Sequence, residues 1–325
     1  MRNPGPFPAA LSGRVFTRRQ ATELGVSPGR LRRRDVRGLQ RGLYAHALDD
    51  PPVLAVVAGL DLLHPRLWAS HRTAAELHGL CLPHGVSGTG ALEVSCQARR
   101  ARPQLAGVVV HQSRTLASEI QLGPPAPGLP LDSMALLTTP ARTWLDLAAS
   151  LSVPELVAIG DQLVRLPRFR FEGRADPWAT RSGLADLLAA HPNLQGIQRA
   201  RAALEQVRVG SDSPAETRLR LALRRAGLPD PDLQIALDPS DPFSPTADLG
   251  YRRHRIALQY DGGGHRSYER LSADNSRDNA FTSAGWAYGK FDRQDWRTDF
   301  ARAVNFVQAA LRDAGRVGPG MRNAP

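Results

Sequence analysis

Lysine is all but missing from this chain. Lys290 is the single lysine among 42 basic residues, so the formal charge of +11 is carried by arginine. Arginine in place of lysine, alongside abundant Ala, Gly and Pro, is also what a GC-rich coding sequence produces, so where the charge sits says more than its total. Cysteine is scarce too. Cys81 and Cys96 are too few for a disulfide framework and lack the spacing of a metal knuckle, which leaves them as ordinary buried thiols. No run approaches the roughly 18 consecutive apolar residues of a membrane span. Met1 to Arg14 carries Pro and Gly where a secretion signal needs an apolar core. A cytoplasmic protein is expected, with no membrane partner and no small-molecule cofactor.

What is present is enough for two or three cores: 325 residues, 42% of them apolar. A pI near 10.9 suggests an anionic partner such as nucleic acid. Breaks rich in Pro and Gly divide the chain into segments 10–50, 51–205 and 211–315, with a disordered tail at 316–325. The pattern is α/β (α+β) throughout.

In the first segment, Thr17 and Gln20 have capping-box spacing, predicting a helix over Arg18 to Leu24 that ends at Gly25. Ser27 and Pro28 open a second helix with Leu31 inward beside Leu24, and with Arg30, Arg32, Arg33, Arg34 and Arg37 on its surface. Leu39 to Ala45, including Arg41, alternates as a strand. That order suits a winged helix placing arginines on DNA phosphates and guanine edges; a solvated basic helix is the plainer alternative. Phe16 to Ala45 resembles the winged-helix domain of AbiEi-like antitoxins of type IV toxin–antitoxin systems, and Ser70 to Gly79 and Thr138 to Ala148 extend the likeness. The resemblance implies autoregulatory DNA binding and a cognate toxin protein as partner.

The middle segment reads as an α+β scaffold. Leu92 to Cys96 and Val108 to Gln112 are expected to pair as strands; Thr139-Pro140 starts a helix carrying Trp144, Leu145 and Leu147 inward. Helices are expected over Glu155 to Leu166 and Ser182 to Ala190. His71 and His78 lie seven residues apart on one expected helix, but no nearby acid or cysteine completes a metal site, so both read as packing or capping residues.

The last segment carries the chemistry. Ser213-Pro214-Ala215-Glu216 opens a periodic helix with Leu219, Leu223 and Ala226 inward, followed by strands at Leu233 to Leu237, Ala247 to Tyr251 and His254 to Asp261. Period-two geometry puts Ala257, Gln259 and Asp261 on one face and Ile256, Leu258 and Tyr260 on the other. Asp248, Asp261 and Glu216 can then converge as hard oxygen ligands for magnesium, with manganese as a substitute, activating water against a phosphodiester. Gly262-Gly263-Gly264 leads to His265 as a proton-transfer or phosphate-contacting group, and Lys290 or Arg293 is a further phosphate candidate. The plainer alternative is that Asp248 and Asp261 only terminate strands.

Ser213 to about Leu311 resembles the DUF559 group, related to very-short-patch-repair endonucleases of the PD-(D/E)XK restriction-endonuclease-like fold. Glu216, Asp248, Gln259-Tyr260-Asp261-Gly262, His265 and Asp274 to Asp278 carry the likeness. It implies a mixed sheet flanked by helices and an acidic residue where this chain has Gln259; Asp261 stands at the usual lysine position. Three functions follow: a metal-dependent DNA endonuclease with Glu216, Asp248, Gln259, Asp261 and His265 at its centre, a DNA-binding regulator or antitoxin that has lost catalysis, and an interaction scaffold that uses neither DNA nor metal.

Overall fold

The computed structural model describes residues 7–48, 50–83, 90–98, 102–167, 172–262 and 268–316. The fold is mixed α/β, with eleven α-helices and three sheets among these residues. None of the helices is long and apolar enough to cross a membrane.

Packing groups the chain into two compact units, residues 1–151 with 183–200, and residues 152–182 with 201–325. In the first unit, β1 (Val15–Thr17), β2 (Val36–Gln40) and β3 (Leu43–His46) form an antiparallel sheet in the order β1-β3-β2. Thr17 caps α1 (Arg18–Glu23) with Gln20 completing the capping box, as the spacing predicts. The second helix does not form: Arg30–Arg32 is a single 3₁₀ turn, and Arg33 is already extended. Gly29 favours no helix, and Asp35 draws Arg30 into an ion pair that closes the segment locally. Leu24 is 42% exposed; Ala21, Val26 and Leu31 pack inward instead. The strand expected over Leu39 to Ala45 is the tip of a hairpin, because Gly42, at φ +88°, turns β2 into β3.

Helix α2 (Val53–Leu63) lies so close to this sheet that a Cβ on Gly59 would come within 2.5 Å of Leu43 Cδ1. Val15, Leu43 and Ala45 thus share one core with Leu54, Val57, Leu60, Val94, Val110 and Leu137. A second sheet follows, with β4 (Trp68–Ala69), α3 (His71–Leu77), β5 (Leu92–Gln97), β6 (Val108–Ser113), β7 (Ile120–Leu122) and β8 (Leu136–Thr138), ordered β6-β5-β4-β8-β7. Its β5 and β6 pair, in parallel. Thr139 caps α4 (Pro140–Leu147), whose Trp144, Leu145 and Leu147 are buried as expected. Arg142, fully buried, bonds Asp146 at 2.9 Å and Glu119 at 2.5 Å.

The second unit begins with α5 (Val153–Val164); α6 (Arg181–Ala190) and α7 (Ile197–Leu204) are divided between the units. Then come α8 (Pro214–Arg225), β9 (Asp232–Ala236), β10 (Thr246–Tyr251), β11 (Ile256–Tyr260), α9 (Tyr268–Ser283), β12 (Ala287–Phe291), α10 (Arg293–Arg297) and α11 (Ala301–Arg316). The sheet order is β12-β11-β10-β9, antiparallel except for β11 with β12, which a crossover through α9 makes parallel. Leu249, Ile256 and Leu258 pack with Leu219, Leu223, Phe300 and Val307, and a second cluster joins Ala247 and Ala257 to Phe281. Ala226 ends α8 exposed, and its inward place is taken by Ala222. A 3₁₀ turn, Arg252–His254, precedes β11, so that strand starts at Ile256 and not at His254. Of the expected tail, Arg316 closes α11, and 317–325 lies outside the described residues.

Candidate functional site

Ser213 caps α8 by accepting from the Glu216 backbone N–H, with Pro214 in the first turn where a missing donor costs nothing. Glu216 thereby sits in that first turn, and its Oε2 accepts from the Asp212 N–H at 2.8 Å. Across the sheet, β10 pairs with β11 from Leu249 with Leu258 onward, Asp248 stands one residue before that pair within reach of the Gln259 side chain, and β11–β12 sets Gln259 beside Lys290. Asp248, Gln259 and Lys290 therefore form one row over three neighbouring strands, and Tyr288 shares their face by period two. Gln259 Nε2 donates to Asp248 Oδ1 at 2.9 Å, and the Tyr260 backbone N–H donates to Oδ2 at 2.7 Å. From α9, Asp278 Oδ2 accepts from Lys290 Nζ at 2.7 Å.

Burial pushes the Glu216 carboxyl up to about 7, and the nearby Asp248 carboxylate adds to that. Asp248 is raised to about 6, again first by burial, against the lowering effect of the Tyr260 N–H, the Gln259 amide and Arg277. Burial, then the Asp278 carboxylate, raises the Tyr288 phenol. Gln259 Oε1 is buried and finds no hydrogen-bond partner among the described residues, while the Tyr288 hydroxyl and Asp278, brought in by α9, interact with each other.

Asp261 follows β11 directly, and its backbone N–H donates to the Phe291 carbonyl at 2.6 Å. It does not join Glu216 and Asp248 in a close three-ligand group among the described residues; the one such group is His71, Glu93 and His111 in the first unit. His265 lies outside the described residues. Arg293 is exposed at the start of α10. Asp212 and Tyr288 escaped sequence reasoning, although alternation along Ala287–Phe291 already sets Tyr288 and Lys290 on one face.

In the first unit, Arg30 binds Asp35 through both terminal nitrogens, at 2.8 and 2.5 Å, and its guanidinium lies 4.8 Å from the centre of the Phe7 ring. That pairing holds Asp35 down at about 2. Arg32, Arg33, Arg34, Arg37 and Arg41 are exposed on the turn and hairpin that follow. His78 Nε2 packs on the Thr138 carbonyl at 2.7 Å, the packing role expected of it.

The chain is similar to two proteins of Mycobacterium tuberculosis, uncharacterized protein MT2308 of strain CDC 1551 / Oshkosh and uncharacterized protein Rv2248 of strain ATCC 25618 / H37Rv. Each is 26% identical over 284 residues, covering 86% of this chain and 95% of the relative. No family model matches the chain, and no solved structure does.

Proposed function

We propose that the second unit is a magnesium-dependent, endonuclease-like hydrolase of DNA phosphodiesters, and that the exposed arginines of the first unit hold the DNA. The reading rests on Gln259 Oε1, a buried acceptor without a partner among the described residues, on a side chain bonded to Asp248. Its orientation is fixed by chemistry: a flipped amide would set oxygen against the Asp248 carboxylate, so the nitrogen must face Asp248 and the oxygen must face away. Asp248 and Glu216 are carboxylates close enough for one to raise the other, and Gln259 adds a buried amide oxygen; such hard oxygen donors fit magnesium, or manganese in its place. Asp248 and Glu216 would hold the ion, with Gln259 Oε1 as a further donor; the ion would supply charge neutralisation on phosphorus and an acidified water. Lys290 and Arg277 bring positive charge to the same face, where a phosphate group would sit.

Gln259 itself favours a second reading, a DNA-binding regulator or antitoxin, with a toxin protein as partner, that has lost catalysis. A neutral amide cancels less cationic charge than the acid the resemblance implies there. Nicking of supercoiled DNA in magnesium separates the two. Cleavage by the natural protein supports the hydrolase; cleavage that appears only in Gln259→Glu supports the regulator.

A further inference from the structure

The first unit holds a cluster that the proposed DNA chemistry does not use. His71 opens α3, Glu93 lies on β5 and His111 on β6, and one ligand atom from each lies within 4.8 Å of the others. Parallel pairing of β5 with β6 creates it: Glu93 is in register with Val109, so His111 sits one alternation further on, on the same face. His111 Nε2 is 3.5 Å from Glu93 Oε2, about the edge of a tetrahedral zinc shell with bonds near 2.1 Å. That nitrogen is buried and makes no hydrogen bond of good geometry among the described residues. The His71 and His111 rings stack with centroids 3.7 Å apart and planes at 16°.

The groups behind the cluster orient it. His71 Nδ1 lies 3.0 Å from Ser70 Oγ, which accepts in turn from Ser95 Oγ at 2.7 Å, so Nε2 is the nitrogen left facing the cluster. Arg72 holds the Glu93 carboxylate by both oxygens, its guanidinium 3.6 Å from Oε1 and its backbone N–H donating to Oε2 at 3.4 Å, and Oε2 keeps a second lone pair for the cluster, 3.5 Å from His111 Nε2. A ligating imidazole held through its other nitrogen and a carboxylate held by neighbouring donors are what outer-shell partners provide at metal centres. His71 also has φ +49°, a left-handed conformation costly for a side-chain-bearing residue.

We propose that His71 Nε2, His111 Nε2 and the Glu93 carboxylate bind one divalent transition metal of the zinc class. Two imidazoles and one carboxylate suit such an ion over magnesium, and three protein ligands leave a coordination position open. Binding tilts the two rings out of their stack, because parallel rings aim their lone pairs in parallel and a shared ion needs them to converge. The site rests on nothing in the second unit.

The test is calorimetric titration of chelator-stripped, full-length protein with Zn²⁺, on the natural chain, His111→Ala, the near-isosteric Glu93→Gln, and Asp248→Asn. With excess Mg²⁺ present to occupy the face of Asp248, the expected result is one Zn²⁺ per chain, with affinity reduced at least about tenfold in His111→Ala and Glu93→Gln and unchanged in Asp248→Asn. Imidazole nitrogen resonances of His71 and His111 shift together on Zn²⁺ addition. Circular dichroism identifies a variant that has failed to fold, and Glu93→Gln with the resonance shifts then decides the matter. No Zn²⁺ bound by the folded natural protein, equal affinity in Glu93→Gln, or loss of binding in Asp248→Asn alone overturns the proposal.

Discussion

Gln259 on β11 gives its amide nitrogen to Asp248 on β10 across 2.9 Å, and its amide oxygen is thereby turned into a buried position with no partner among the described residues. A buried acceptor left unmade costs about 1–3 kcal/mol. Among the described residues, that unmade acceptor stands where the sequence resemblance expects an acid.

Gln259→Glu should expose this relationship. The new carboxylate cannot donate to Asp248 and adds negative charge beside it, so thermal unfolding in chelator should shift down by several degrees, on the order of 2 kcal/mol. Magnesium should restore most of that loss and should move the natural protein less. A shift that magnesium leaves untouched would speak against a cation at this face.

The pH dependence has a definite sign. Glu216 at about 7 and Asp248 at about 6 hold protons in the folded protein that the unfolded chain releases above about pH 4. Their stabilising contribution is complete below that pH and is lost as pH rises through 6 and 7. Thermal stability in chelator should therefore fall between pH 5 and pH 8 by roughly 2 kcal/mol, and Glu216→Gln should flatten the slope. Stability that rises across the same interval contradicts the assignment.

The arginines divide by partner. Arg32→Ala with Arg33→Ala removes two exposed charges and should lower the slope of log affinity for DNA against log salt by about 2. Arg30→Ala should leave that slope nearly unchanged and lower the thermal midpoint, because Asp35 loses both of its guanidinium bonds. Fluorescence anisotropy across a salt series, with calorimetric unfolding of the same variants, measures both.

The second unit contains a buried ion pair whose removal should be costly. Asp161 on α5 accepts from Arg220 on α8 at 2.8 Å, from Thr217 Oγ1 and from the Arg208 N–H, and both charged side chains are at most 2% exposed. Asp161→Ala strands the guanidinium and should cost about 3–5 kcal/mol in urea unfolding, whereas Asp161→Leu with Arg220→Met should recover much of it. Equal losses in the single and double variants would show that the pair is not what holds α5 to α8.

The sequence made legible what neighbouring residues decide. Thr17 with Gln20, Thr139 with Pro140 and Ser213 with Pro214 are caps formed within one helical turn, and all three stand where their spacing puts them. Alternation along Ile256–Tyr260 sorted the two faces of β11, since burial on a sheet follows period two. Relations made by tertiary pairing were hidden. Arg30 looked like a DNA contact until Asp35 claimed it, and no local pattern in the helix expected over Glu155 to Leu166 shows that Asp161 bonds Arg220, 59 residues on. His71 seemed to lack a metal-type partner because Glu93 and His111 reach it only through the parallel pairing of β5 with β6.

The most direct test of the account incubates full-length protein with supercoiled DNA in magnesium, beside Asp248→Ala under the same conditions. Asp248 anchors the row: it orients Gln259, receives the Tyr260 N–H and raises the Glu216 carboxyl. The account predicts nicked and linear DNA from the natural protein, none in chelator, and at least about a hundredfold slower cleavage by Asp248→Ala. Cleavage at equal rates by both proteins, or none by the natural protein with its magnesium site saturated, would contradict it.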